Sequence, residues 1–130
     1  MLGGYDVIAT LAVKDIDAAA TFYEGTVGLS RMDVPNPDPT AIIYQSGRTA
    51  ILVYASQYAG TNQATAASWA VGGDLDSVMD DLRSKGVSFE RYDLPGVEHD
   101  GDVHVVADFK AAWFKDPDGN ILNLSNQPSP

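Results

Sequence analysis

Residues Tyr5 to Val13 alternate and are rich in apolar and β-branched types, a period of two that predicts a strand. The period then lengthens. Ile16, Ala19, Ala20, Tyr23 and Val27 recur at helical spacing, which predicts a helix from Asp15, a suitable N-cap, to Gly28, a suitable stop. Phe22 and Tyr23 lie within it, and Phe22 is assigned to the core. Alternation returns over Thr40–Gln45 and Thr49–Ser56, joined by Ser46, Gly47 and Arg48, which carry hairpin chemistry.

The scheme is then repeated. Ala67–Val71 reads as a short strand, Asp74 as an N-cap, Leu75, Val78 and Leu82 as a helical stripe, and Gly86 as its end. Extended segments follow at Val87–Tyr92, Ala111–Lys115 and Ile121–Ser125, the last two joined through Asp116, Pro117, Asp118 and Gly119. Each half therefore runs strand, helix, then two or three antiparallel strands. This predicts an α+β fold of two βαβββ modules, about residues 5–56 and 66–125, forming a curved, cup-shaped mixed sheet with the helices outside. Gln57–Thr65, small and polar, reads as the connector, and the Gly- and Asp-rich Asp93–Asp108 as a mobile loop beside the cup.

A chain of 130 residues fits one domain, and 45% hydrophobic with 20% charged residues is ordinary for a packed core. Cysteine is absent, which excludes disulfides, zinc ribbons and thiol nucleophiles. The opening MLGGYDVIATLAV has neither a cationic start nor an uninterrupted apolar span, so a cytoplasmic protein with no membrane partner is expected. Eight Lys and Arg against 18 Asp and Glu give a formal charge of −10. Such a field repels phosphate backbones, so the expected partner is a neutral or cationic small organic molecule and not nucleic acid.

Two stretches are more specific: ATLAVKDIDAAATFYEGTVGL at Ala9–Leu29 and WFKDPDGNILNLS at Trp113–Ser125, placed around WAVGGDLD at Trp69–Asp76. In that order they resemble the glyoxalase, bleomycin-resistance and extradiol dioxygenase superfamily, also called vicinal oxygen chelate proteins, over nearly the whole chain. The resemblance implies the two-module fold, a homodimer, and a divalent metal held by His, Glu or Gln from the first and last strands of each half. At those positions this chain has Ile8, Val53 or Tyr54, Ala66 or Ser68, and Asn123. None suits Fe, Mn, Ni or Zn, which need three or four good donors. A member without metal or other cofactor is expected.

The only histidines, His99 and His104, fall in EHDGDVH beside Glu98, Asp100 and Asp102. They are read as solvated side chains of an acidic loop rather than as an unusual metal site. The run Asp116, Asp118, Asn120 fails as a calcium loop, because Ile121 replaces the required Gly and Gln127 the bidentate Glu. No phosphate-binding, dinucleotide-binding or nucleophile-elbow motif occurs.

A concave sheet without metal is best used to hold an organic molecule between apolar walls and a few directed polar groups. Candidate ligand-binding residues are the strand aromatics Tyr44, Tyr54, Trp69 and Trp113, the polar Thr10, Ser56, Ser68 and Asn123, and His104. In 51–56 the row Leu52, Tyr54, Ser56 is mixed and the row Ile51, Val53, Ala55 apolar, which turns the mixed row inward; the family register would turn Val53 inward instead. By the same reasoning Leu122 and Leu124 meet a helix while Asn123 and Ser125 face the cup. The leading expectation is a metal-independent small-molecule-binding protein resembling the bleomycin-resistance branch. The alternatives are a glyoxalase-like lyase or isomerase with His104 or a tyrosine as base, and a regulatory or assembly module with an unused pocket. No residue is assigned as catalytic.

Overall fold

The computed structural model describes residues 1–129. It divides into two compact units, Met1–Gln63 with Pro117–Asn120, and Ala64–Asp116 with residues 121–129. Each unit carries one open mixed sheet, so the class is α+β as the pattern predicts.

In the first unit, strand β1 (Ala9–Val13) leads into helix α1 (Ile16–Ala20). The expected cap forms: the Asp15 carboxylate accepts the N–H of Asp17 at 3.0 Å and of Ala18 at 3.1 Å, satisfying donors that the first turn leaves free. The helix then widens into a π-helical turn over Thr21–Thr26 and stops at Gly28, whose φ of +87° suits glycine. Strands β2 (Ser30–Arg31), β3 (Ala41–Ser46) and β4 (Thr49–Ala55) complete the sheet in the order β1-β4-β3-β2, with β1 and β4 parallel and the other pairs antiparallel.

Cross-strand partners point to the same side of a sheet. Leu11 pairs with Val53, Val53 with Ile42, and Ile51 with Tyr44, and Tyr23 packs against Tyr44 with ring centroids 6.1 Å apart. This row is therefore the helix-side core, and burying each such side chain stabilises the fold by about 1.5–3 kcal/mol. Two expectations change. The strand starts at Ala9, with a short 3-10 turn at Leu2–Gly4 before it. Of the adjacent pair Tyr23 is the fully buried one, while Phe22 is half-buried and packs edge-on to it.

The second unit opens with β5 (Thr65–Ala70), a 3-10 turn at Gly72–Asp74 and helix α2 (Leu75–Ser84). Asp74 stands at the cap position but its side chain makes no capping bond. Leu75, Met79 and Leu82 are buried, so Met79 takes the central place expected of Val78. The guanidinium of Arg83 lies 5.1 Å from the centre of the Phe89 ring, which sets the helix on the Phe89 side of the sheet.

Strands β6 (Phe89–Glu90), β7 (Glu98–Asp100), β8 (Val103–Val106), β9 (Phe109–Lys115) and β10 (Ile121–Ser125) follow. Their order is β5-β10-β9-β8-β7, with β5 and β10 parallel and β6 also pairing with β9. The segment 93–108, expected as a mobile loop, instead contains the β7–β8 hairpin. Gly101 at φ +61° provides its turn, and Val103 and His104 are buried in it. Among the described residues no helix is long and apolar enough to cross a membrane.

Candidate functional site

The face of the second sheet opposite α2 gathers most of the residues singled out in that unit. Ser68 pairs with Asn123, Asn123 with Trp113 and Trp113 with Glu90, giving one row across four strands. The next row runs from Ala70 through Ser125, Ala111 and His104 to His99. Ser68, Trp113, Asn123 and His104 thus share one face. Trp69 does not: it pairs with Leu124 and lies on the helix side with Leu122 and Phe114. A register shift between Ile121 and Leu122 leaves Ala66 without a ladder partner and returns Thr65 to this face. There its hydroxyl accepts the Trp113 indole N–H at 3.2 Å.

In the first unit Thr10 pairs with Leu52 and Tyr54 with Ala12, on the face away from α1. The mixed row is therefore the one turned from the helix. Val53, fully buried in the core row, overturns the register that would have pointed it the other way. Thr10 and Tyr54 are exposed, and the Thr10 hydroxyl donates to the Ile8 carbonyl at 3.3 Å. Ser56 lies past β4, where its hydroxyl accepts the Tyr58 N–H at 3.1 Å. Tyr44 is buried on the helix side, donating its hydroxyl to Glu24 at 2.9 Å, with Arg31 on the same carboxylate oxygen at 3.0 Å. Burial first, and then the bond and charge of Glu24, hold its phenol well above the usual tyrosine range.

Around Trp113 the second unit builds an aromatic cluster. Tyr92 meets it edge-on at 5.7 Å and His104 at 4.8 Å, and His99 meets His104 at 4.6 Å. The histidines are not solvated side chains of an acidic loop. His104 is 3% exposed, and its Nε2 accepts the Tyr92 N–H at 2.9 Å, so the proton of the neutral ring sits on Nδ1. Burial, then the neighbouring His99, lower its pKa from 6.5, with Arg91 adding slightly and the backbone of Ala111 and Asp102 opposing. Burial and then Glu90 raise the Tyr92 phenol. Its oxygen and His104 Nδ1 are buried with no hydrogen-bond partner. Glu90, Tyr92 and His99 did not emerge from the alternation, because they come together only through pairing to β9 and through side chains reaching along the sheet.

The residues at the family's metal positions do not fit a divalent transition metal. Ile8 is a hydrocarbon, Val53 lies in the core, and Asn123 donates its amide to the Ala112 carbonyl at 3.2 Å. Tyr54 and Ser68 add a phenol and a hydroxyl, poor substitutes for imidazole or carboxylate. Among the described residues no three His, Cys, Asp or Glu side chains gather in metal-binding proximity.

Comparison with known proteins agrees with this architecture. The model of the Glyoxalase/Bleomycin resistance protein/Dioxygenase superfamily matches residues 5–124. The fosfomycin resistance protein FosX from Mesorhizobium loti superposes with a TM-score of 0.67 at 11% identity, covering 99% of this chain and 95% of that one. Lactoylglutathione lyase from Agrobacterium tumefaciens gives 0.65 at 17% identity, covering 93% and 92%. A superfamily member from Sphaerobacter thermophilus gives 0.66 at 25% identity, covering 93% and 95%. No curated protein matches the chain.

Proposed function

Because the chain belongs to the Glyoxalase/Bleomycin resistance protein/Dioxygenase superfamily, we propose that it binds a small organic molecule without a metal, as a homodimer and in the manner of bleomycin-resistance-type members. The reading rests on the row Ser68, Asn123, Trp113, Glu90 with His104 beside it. That row offers a large π surface, two small polar groups and one carboxylate, a suitable set for holding a planar or cationic molecule. Net charge of −10 favours the same class of ligand. Binding is preferred to proton abstraction, because the one basic nitrogen of His104 already accepts the Tyr92 N–H.

Native mass spectrometry with elemental analysis, on protein isolated from its own cells, tests this. The expected result is a retained organic molecule and far less than one equivalent of metal. About one Fe, Mn, Ni, Co or Zn per chain would sink the metal-free reading. With the retained molecule in hand, Trp113→Ala should weaken binding by about 0.5–1.5 kcal/mol beyond the lost contact area. Unchanged affinity would remove the second-sheet face from consideration and move the search to Thr10 and Tyr54.

A further inference from the structure

The outer edge of β9 has two neighbours: β8 pairs with its residues 109–111, and β6 with Trp113 and Phe114. Where one neighbour gives way to the other, the backbone of Tyr92 has no strand to pair with. Two imidazoles take the strand's place. The Tyr92 N–H donates to His104 Nε2 at 2.9 Å, and His99 Nε2 lies 3.0 Å from the Tyr92 carbonyl, to which it can only donate.

We propose that the His99–His104 pair is an acid-released clamp, holding the segment Arg91–Val97 onto the β7–β8 hairpin while His104 is neutral and letting it go when His104 takes up a proton. The two rings play different parts. A proton added to His104 arrives on Nε2, its only vacant nitrogen, and sets N–H against N–H where a bond had been. His99 holds the carbonyl side of Tyr92 through its donated bond, and as the neighbouring ring it lowers the proton affinity of His104.

The surroundings hold His104 neutral. His99 faces it from β7, and Arg91 and Tyr92 from the segment after β6, with Glu90 of β6 on the far side of Tyr92. From β9 come Ala111 and Trp113, which do not titrate. Asp102, before β8, contributes its backbone while its carboxylate binds Arg83 at 3.1 Å. Burial and the neighbouring His99 and Arg91 outweigh the backbone of Ala111 and Asp102, which favours the imidazolium, and the pKa is lowered on balance. The sign follows. With the segment released His104 takes up its proton at the ordinary value of 6.5, and with the segment clamped only below that value, so the clamp is at full strength above 6.5 and weakens as pH falls below it.

Nitrogen-15 NMR of the imidazoles, with hydrogen exchange of the Tyr92 amide from pH 8 to pH 5, tests the clamp without any ligand. At neutral pH His104 should carry its proton on Nδ1 and His99 on Nε2. The protection factor of Tyr92, corrected for intrinsic exchange, should fall about tenfold as His104 titrates, the factor one lost hydrogen bond carries. In His104→Gln, whose amide oxygen still accepts but cannot titrate, protection should not change with pH. In His99→Gln, which still donates but carries no charge, the midpoint should move to higher pH. Unchanged Tyr92 protection through the wild-type titration overturns the proposal, as does an equal loss in His104→Gln. The wild-type titration decides by itself if a variant does not fold.

Discussion

Tyr23→Ala is expected to cost about 3–5 kcal/mol of stability, and Phe22→Ala clearly less, although the two residues are adjacent on the same turn. Tyr23 is fully buried, between the edge of Phe22 at 5.1 Å and the ring of Tyr44 at 6.1 Å. Removing it leaves a cavity that the sheet cannot close, because Tyr44 is held in place by its bond to Glu24 at 2.9 Å. Glu24 comes from the same π-helical turn, so the turn, the aromatic stack and the Glu24–Arg31 pair loosen together. Phe22 is half-buried and loses only part of its contacts. Urea unfolding of both variants checks this. If Phe22→Ala costs as much as Tyr23→Ala, the core of the first unit has been assigned to the wrong ring.

Gly60→Ala is expected to destabilise by about 2–4 kcal/mol. Gly60 has a φ of +78°, and a Cβ there would stand 2.7 Å from the backbone carbonyl oxygen of Asp118. A carbonyl in a tight turn cannot step aside as a flexible side chain can. The Asp116–Gly119 turn is anchored next door, where the Asn120 amide donates to the Ala12 carbonyl at 2.8 Å. Gly47→Ala is the control. Its φ of +57° carries the same backbone penalty, but no atom lies within 4 Å of the added carbon, so about 1–2 kcal/mol is expected. Equal melting temperatures for the two variants would mean that close approach to Asp118 contributes nothing.

The parts of this fold that were legible in the sequence are those set by local chemistry. Asp15 and Gly28 mark the ends of the first helical segment because a carboxylate satisfies the free N–H groups and glycine tolerates φ of +87°. Ile121–Ser125 is a strand with the bounds its alternation gives, and the mixed row of Leu52 and Tyr54 lies away from the helix. Asp74 shows the limit of such reasoning: it stands at the cap position, yet the chain arrives through a 3-10 turn and the side chain makes no capping bond.

Periodicity and turn chemistry by themselves determined the repeated strand–helix–strand plan and both hairpin joints. They did so because each is a property of a few consecutive residues or of residue type alone. Only the tertiary structure decided that Tyr23 rather than Phe22 fills the core, that Tyr44 and Trp69 lie on the helix sides, and that 93–108 is a hairpin carrying a buried histidine. Alternation yields two rows but not which row a helix will cover. A segment rich in glycine and aspartate pairs only if a distant strand, here β9, leaves an edge for it. The clamp on Tyr92 exists for that reason: β8 occupies the β9 edge beyond β6, and the backbone of Tyr92 is bonded by two imidazoles instead of a strand.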